Sequence, residues 1–201
     1  MQLLLVRHAL PHRTEAGEGA DPELSEEGWR QAERLPAALA RFPITRLVRS
    51  PQRRAIQTGE PVAKALDLAL DVDERLAEYD RGLSHVPIEQ VRKEKPEEWA
   101  RMAEGRLPSS VDEGEFRGRI AAALSDIVGA AKHDDTVAVF SHGGVINVIL
   151  HELLGTKRLL SFPIDYVSIT RLLYARNGFG TVAAVNTTEH VWDLLPRKQR
   201  Y

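Results

Sequence analysis

The sequence predicts an α/β fold of three layers (α/β/α), with a mostly parallel central sheet and a small helical insertion. Three short apolar runs, at residues 3–7, 45–49 and 137–141, have the Val and Leu content of strands buried on both faces of a parallel sheet. Segments with apolar residues at helical spacing follow these runs. With 201 residues, the chain has the length of one ordinary domain, so we expect residues 1–201 to form a single domain.

The first predicted strand leads into a polar loop and then a helix. Residues 10–21 contain two glycines and a proline, and we expect them to form a surface loop over the strand edge. Ser25 is the expected N-cap of a helix whose apolar residues continue to Phe42. Because proline interrupts helical hydrogen bonding, Pro36 is expected to kink this helix or split it.

The second predicted strand continues into a helix that extends to Leu66. Ser50 is the expected N-cap and Pro51 the first helical residue, an arrangement typical of helix N-termini. Backbone N–H groups at such a helix start point toward the carboxyl edge of the sheet, where they attract phosphate. We therefore expect ligands to bind at this edge, as they do in other open α/β sheets.

The second half of the chain adds the insertion, two helices and a hairpin. Residues 83–114 are predicted to form a helical insertion or cap, with helical spacing over 88–102. The remaining predicted elements are a helix over 115–131, a helix that Gly143 and Gly144 open and Gly155 ends, and strands over 167–174 and 181–185. The Asn-Gly pair between the last two strands is typical of a β-hairpin turn.

Composition limits the ligands and the compartment. The net charge of −2 gives no general attraction to nucleic acid or to an anionic membrane. Without cysteine, the chain has no disulfide, thiol nucleophile or thiolate metal site, in keeping with a reducing compartment. The N-terminus lacks the basic start and long apolar region of a signal peptide, and no stretch is long enough to span a membrane. We expect a cytoplasmic protein.

Two histidines, His8 and His142, stand where the first and third apolar runs end. Parallel strands present their carboxyl ends at one edge of the sheet, and ligands bind beyond that edge. We therefore expect the two imidazoles to share one site. Taken alone, the pair is compatible with a metal site, a proton relay or no function.

Several short motifs accompany these histidines. They are Leu-Val-Arg-His at 5–8, Leu-Ser-Glu-Glu-Gly at 24–28, Ser-Pro-x-x-Arg-Ala-x-Gln-Thr at 50–58, Glu78, and Ser-His-Gly-Gly at 141–144. By these motifs and their order the chain resembles the histidine phosphatase superfamily, also called the phosphoglycerate mutase-like family. The resemblance runs from residue 3 to about the end of the hairpin and constrains the insertion least.

The resemblance implies roles for five residues. In the family, the histidine matching His8 attacks the phosphoryl group, and an acid matching Glu78 protonates the leaving group. Arginines matching Arg7 and Arg54 hold the phosphoryl oxygens, and the histidine matching His142 assists them. General chemistry agrees, since neutral imidazole is a nucleophile and guanidinium groups stabilise the charge of a transferring phosphoryl group. No metal or cofactor is then required.

Two of these assignments have competitors nearby in the chain. Asp80 lies close to Glu78 in a group of carboxylates and is the alternative proton donor. Arg53 precedes Arg54, but adjacent helical residues point about 100° apart, so only one of them can face the phosphate. The motif selects Arg54 and leaves Arg53 on a solvated helix face.

The chain departs from the family pattern at two positions in the first motif. Ala9 replaces the glycine that commonly follows the nucleophilic histidine, and Thr14 replaces the usual asparagine. Alanine is a mild change where φ is negative. Thr14 is either an ordinary loop residue or a phosphate ligand through its hydroxyl. Gly143, at a predicted helix start, is another candidate for an added phosphate contact.

These inferences favour a metal-independent phosphomonoesterase that acts on a small phosphorylated metabolite through a phosphohistidine. A phosphoglycerate mutase with the same phosphohistidine is the alternative, although residues 78–82 lack the longer signature of mutases around the acid. A non-catalytic phosphate-binding protein is a third hypothesis. The natural substrate and the oligomeric state stay open, and we expect no cofactor, nucleic acid or membrane partner.

Overall fold

Six strands form one sheet in the computed structural model, which describes residues 1–12, 21–81 and 88–196. The strands are β1 (Gln2–Arg7), β2 (Ile44–Arg49), β3 (Leu70–Val72), β4 (Thr136–Ser141), β5 (Ile169–Tyr174) and β6 (Gly180–Thr187). Their order across the sheet is β3-β2-β4-β1-β5-β6. The first four strands are parallel, whereas β5 is antiparallel to both of its neighbours. The predicted mostly parallel sheet is confirmed.

Helices cover both faces of this sheet. They are α1 (Glu26–Ala32), α2 (Leu35–Leu39), α3 (Arg53–Leu66), α4 (Ile88–Glu94), α5 (Pro96–Ala103), α6 (Glu113–Ala130) and α7 (Gly143–Leu154). Successive strand residues point to opposite faces, so Leu3 and Leu5 pack with α6 and α7, whereas Leu4 and Val6 pack with α1, α2 and α3. The predicted α/β/α layering is confirmed.

The two central strands, β1 and β4, are buried along most of their length. All six residues of β4 are buried, and so are residues 3–6 of β1. Burying one Val or Leu side chain contributes about 1.5–3 kcal/mol. The histidines that follow these strands are therefore attached to a firmly packed part of the sheet.

The short strand β3 has no counterpart among the sequence predictions. It lies at the sheet edge, and two of its three residues, Asp71 and Val72, are exposed. It therefore lacks the apolar run that marks β1, β2 and β4. Its pairing with β2 depends on tertiary context rather than on a local pattern.

Helix α3 begins at Arg53, so the predictions of Ser50 as its N-cap and Pro51 as its first residue are wrong. The hydroxyl of Ser50 instead lies 2.7 Å from Nε2 of His142. The backbone N–H of Arg53 donates to the carboxylate of Asp21, at 2.9 and 3.0 Å. The helix start is thus determined by groups that are distant in the chain.

Helix α1 is held against the residues that follow β1. Its N-cap is Ser25 as predicted, with the hydroxyl accepting from the N–H of Gly28 at 3.1 Å. A Cβ at Gly28 would lie 2.0 Å from the carbonyl oxygen of Leu10, so only glycine allows this approach. The predicted helix is split before Pro36, which lies in the first turn of α2.

The predicted insertion contains α4 and α5, and residues 82–87 lie outside the described residues. Residues 13–20 of the predicted first loop also lie outside them. Helix α7 ends at Gly155 as predicted, in a left-handed conformation with φ of 61°. Within the described ranges, no helix has both the length and the apolar character needed to cross a membrane.

Candidate active site

His8 and His142 meet at the carboxyl edge of the sheet. β1 and β4 are parallel neighbours with Arg7 opposite Ser141, and a histidine is the next residue after each strand. The backbone N–H of His8 donates to the carbonyl of Ser141 at 2.9 Å, and the two imidazole centroids are 5.1 Å apart. The structure therefore brings the two histidines together, and both are buried.

One hydrogen bond sets the chemistry of His8. Its Nδ1 lies 2.8 Å from the carbonyl oxygen of Ala9. Because a carbonyl only accepts, Nδ1 holds the proton of the neutral ring and Nε2 holds the lone pair. Burial, and then the charges of Arg54 and Arg7, hold the pKa of His8 well below its usual 6.5. His8 is therefore a neutral imidazole whose Nε2 carries no proton.

His142 is held through its other ring nitrogen. Its Nε2 is 2.7 Å from the hydroxyl of Ser50, and both side chains are buried. Its Nδ1 is buried and has no hydrogen-bond partner among the described residues. Burial, and then the charge of Arg54, lower the pKa of His142 well below 6.5. Since a serine hydroxyl can donate to Nε2, the neutral ring can carry its proton on Nδ1 and donate it to an anion.

Arg54 extends from the first turn of α3 and is 1% exposed. Its Nη2 donates to both carboxylate oxygens of Asp80, at 2.8 and 3.0 Å, and its Nη1 lies 3.9 Å from Asp21. In the described part of the chain, its Nε and Nη1 have no hydrogen-bond partner. Arg53 is exposed instead and pairs with Glu23 at 2.9 Å. The structure places Arg54 in the site and Arg53 on the surface.

Arg7, the last residue of β1, is fixed by an aromatic ring. Its guanidinium carbon lies 4.1 Å from the ring centroid of Tyr166, and its Nη1 donates to the carbonyl of Ile164. A cation over an aromatic face contributes about 0.5–2 kcal/mol. The ring of Tyr166 is also 5.7 Å from that of His8. Tyr166 thus positions Arg7 beside His8, a role that no sequence motif indicates.

Glu78 reaches the start of α7. Its Oε2 accepts from the N–H of Gly144 at 2.8 Å, and its Oε1 accepts from that of Tyr79 at 3.2 Å. A Cβ at Gly144 would lie 2.3 Å from Oε1, so glycine makes room for the carboxyl group. Burial, and then the charge of Asp80, raises the pKa of Glu78 to about 7. This carboxyl group therefore carries a proton much of the time near neutral pH.

Asp80, the alternative proton donor, has a different role in the site. Both of its oxygens accept from Nη2 of Arg54, and Oδ1 also accepts from Nε2 of Gln52 at 2.9 Å. Such contacts suit a carboxylate rather than a carboxyl group that donates a proton. The geometry favours Glu78 as the acid.

Residues 3–187 match the family model of the histidine phosphatase superfamily (branch 1). The chain belongs to this superfamily. It is 29% identical over 205 residues to phosphoserine phosphatase 1 of Hydrogenobacter thermophilus, and the aligned region covers 96% of each protein. It is 26% identical over 210 residues to a probable phosphoglycerate mutase, GpmB, of Proteus mirabilis, again covering 96% of each. The solved structure of YhfR from Bacillus stearothermophilus has the same fold, with a TM-score of 0.80 and 23% identity over 94% of this chain and 98% of that one.

Two buried residues whose roles sequence reasoning missed hold the loop after His8. The N–H of Leu10 donates to Oε1 of Gln31, and that of Ala9 donates to the hydroxyl of Thr58, both at 2.9 Å. The N–H of Leu10 and the carbonyl of Ala9 belong to one peptide group, so Gln31 orients the acceptor of the His8 proton. The available signal is a polar residue on the buried face of a helix.

Buried nitrogen atoms without partners surround His8. Among the described residues they include Nε of Arg7, Nε and Nη1 of Arg54, and Nδ1 of His142. Because buried polar groups normally have hydrogen-bond partners, this set fits a ligand with several anionic oxygens, such as a phosphoryl group.

The two further candidates for phosphate contacts have different outcomes. Gly143 lies beside Arg7, since a Cβ there would be 3.8 Å from Nε of that arginine. Thr14 lies outside the described residues. Across the described ranges, no group of three or more His, Cys, Asp or Glu side chains is arranged to hold a metal ion.

Proposed function

We propose that this protein is a phosphomonoesterase that works without a metal and transfers the phosphoryl group through His8. The bond from Nδ1 of His8 to the carbonyl of Ala9 carries this proposal, because it leaves the lone pair on Nε2. The nearby cations Arg7 and Arg54 support it, since preorganised positive charge stabilises a transferring phosphoryl group.

The proposed reaction has two steps. First, Nε2 of His8 attacks phosphorus while the bond to the leaving oxygen breaks, and Glu78 gives its proton to that oxygen, which departs as an alcohol. Water then attacks the phosphohistidine, Glu78 takes a proton from the water, and the N–P bond breaks to release phosphate. Arg7, Arg54 and His142 hold the phosphoryl oxygens in both steps.

The proposed substrate is a small phosphorylated metabolite. The similarity to a phosphoserine phosphatase and to a probable phosphoglycerate mutase supports this class. Phosphoserine and 3-phosphoglycerate are therefore the first compounds to test. We propose that the protein acts in the cytoplasm, in line with its lack of cysteine.

Phosphoglycerate mutase activity is the second candidate, because the chain is similar along 96% of its length to a probable mutase. The phosphohistidine would then pass its group to another hydroxyl of a bound phosphoglycerate instead of to water. Isomerisation of 3-phosphoglycerate that is stimulated by the bisphosphate would identify this activity. Residues 78–82 lack the longer signature that mutases have around the acid, which favours hydrolysis over transfer to a second hydroxyl.

The test is phosphate release from a panel of phosphomonoesters in the presence of a chelator. We expect the wild-type protein to release phosphate and a folded His8→Ala variant to release none. Unchanged activity in that variant would contradict the mechanism. A tightly bound phosphorylated ligand without turnover across the panel would instead favour a phosphate-binding protein.

A further inference from the structure

Gln52 connects the proposed proton donor to the arginine that faces the phosphate. It is the N-cap residue of α3, and its side chain is buried. Its Oε1 accepts from the backbone N–H of Glu78 at 2.7 Å, and its Nε2 donates to Oδ1 of Asp80 at 2.9 Å. The same Oδ1 accepts from Nη2 of Arg54 at 2.8 Å. One amide therefore joins the acid's segment of chain to the helix that carries the arginine.

Glu78 is thereby held at two points. The N–H of Gly144 holds its carboxyl group, and Gln52 holds its backbone. The bond from Gln52 involves a buried N–H group, which has no easy replacement partner when the glutamine is lost. Loss of Gln52 therefore frees the backbone of Glu78 while the carboxyl group keeps its contact with α7.

The position requires the donor and the acceptor of an amide on one side chain. Methionine has a similar length but makes neither hydrogen bond. We propose that Gln52 is a positioning residue that fixes Glu78 relative to the phosphoryl group held by Arg54. This inference rests on the phosphatase mechanism proposed above.

The experiment compares two substrates that differ in their need for a proton. An alkyl phosphate needs an acid because an alkoxide leaves poorly, whereas nitrophenyl phosphate releases a stable anion. For Gln52→Met we expect kcat/KM to fall about 10- to 100-fold with the alkyl phosphate and less than about threefold with nitrophenyl phosphate. The ratio kcat/KM is the quantity to compare, because it covers only the steps up to formation of the phosphohistidine, whereas kcat also contains the attack of water, which is the same for both substrates. An equal loss on both substrates, or no loss, would overturn the proposal.

Gln2→Met is the matched control. The amide of Gln2 is also bonded at both ends, to the hydroxyl of Thr136 at 2.8 Å and to Nε of Arg171 at 2.9 Å. Gln2 lies at the N-terminal end of β1, whereas His8 follows the carboxyl end of the same strand. We expect this variant to keep the wild-type ratio of the two kcat/KM values.

Two further variants complete the test. Gln52→Asn keeps the amide but is one methylene shorter, so it cannot make both bonds; it should show the same selective loss if Gln52→Met does not fold. Glu78→Gln should show the selective loss in full. If Glu78→Gln lacks it, the proposed mechanism fails together with this inference. If Glu78→Gln shows it and the folded Gln52 variants do not, only the role of Gln52 is wrong.

Discussion

The two histidines of the site have equivalent positions in the fold but different hydrogen bonds. Each follows a buried central strand, and burial lowers the pKa of each well below 6.5. His8 uses Nδ1 toward the carbonyl of Ala9, whereas His142 uses Nε2 toward the hydroxyl of Ser50. A carbonyl allows one tautomer of a neutral ring, and a hydroxyl, which donates or accepts, allows both.

This difference shows that the sheet determines where an imidazole lies, whereas a single hydrogen-bonding neighbour determines which ring nitrogen can carry the proton. The lone pair on Nε2 of His8 suits attack on phosphorus. The Nδ1 of His142 can carry a proton and donate it to a phosphoryl oxygen. Experiments that remove each ring, or the group bonded to it, test this division of roles.

Removal of the rings should have the largest effect. We expect His8→Ala to lower kcat by about 10⁴-fold or more and to abolish the phosphoenzyme, because it removes the nucleophile. His142→Ala should lower kcat by about 10²- to 10³-fold, as loss of a charge-stabilising donor does, and should still form the phosphoenzyme. Alkaline quenching with labelled substrate measures the phosphohistidine. A phosphoenzyme in His8→Ala that disappears in His142→Ala would reverse the two roles.

The pH profile should show a large effect above neutrality. With its pKa raised to about 7, Glu78 loses its proton above that pH, so kcat/KM for an alkyl phosphate should fall about tenfold per pH unit. Because the pKa of His8 is lowered well below 6.5, its imidazole should stay neutral at pH 6.5 and somewhat below it, so we expect no loss of activity from its protonation in that range. The measurement is a profile corrected for substrate ionisation. Glu78→Gln should remove the alkaline fall, and an unchanged fall there would assign it to another group.

Removal of the neighbour of His142 should have a moderate effect. Ser50→Ala removes the hydroxyl at Nε2, so the ring loses the group that can donate to Nε2 while Nδ1 carries the proton. We expect kcat to fall about tenfold, in line with the loss of one buried hydrogen bond. Steady-state kinetics measures this change, and Ser125→Ala, which removes an exposed hydroxyl on α6, provides the control. A Ser50→Ala variant with wild-type kcat would show that His142 needs no such partner.

The smallest expected effect is on stability. A histidine whose folded pKa lies below its unfolded value of 6.5 takes up a proton more readily when unfolded, so stability falls as the pH drops below 6.5. Glu78 acts in the opposite direction, because its raised pKa favours the folded state as the pH falls from about 7 toward 4.5. His142→Gln should reduce the pH dependence of the unfolding free energy by up to about 1.4 kcal/mol per pH unit. Urea unfolding at pH 5.5 and 7 measures this change, and an unaltered slope would contradict it.

The layered fold and the approach of the two histidines could be predicted because they depend on local patterns. Apolar runs identify β1, β2 and β4, and a histidine directly follows β1 and β4. Parallel strands then bring these residues to one edge. The angle between adjacent helical residues predicts that only one of Arg53 and Arg54 faces the site, and the resemblance to the family motif selects Arg54.

The parts that could not be predicted depend on contacts between distant segments. The residues next to Ser50 predict a helix N-cap, but its hydroxyl contacts His142, which lies 92 positions away in the chain. Gln31 and Tyr166 lie outside the quoted motifs, and Gln52 occupies an unspecified position of the 50–58 motif. Their roles arise only when α1, α3 and the residues before β5 pack around the site. Sequence patterns therefore locate the reacting groups but not the residues that orient them.

The position of β4 has a consequence for how the protein acquires its activity. β4 separates β1 from β2, although both precede it by more than 85 residues in the chain. Long-range parallel pairing forms slowly, and unpaired strand edges promote association between chains. Because β1 and β2 each pair with β4 and not with each other, these two strand edges have no native partner until the chain has been synthesised as far as residue 141. Catalytic competence and protection of these edges should therefore arise in the same late folding event.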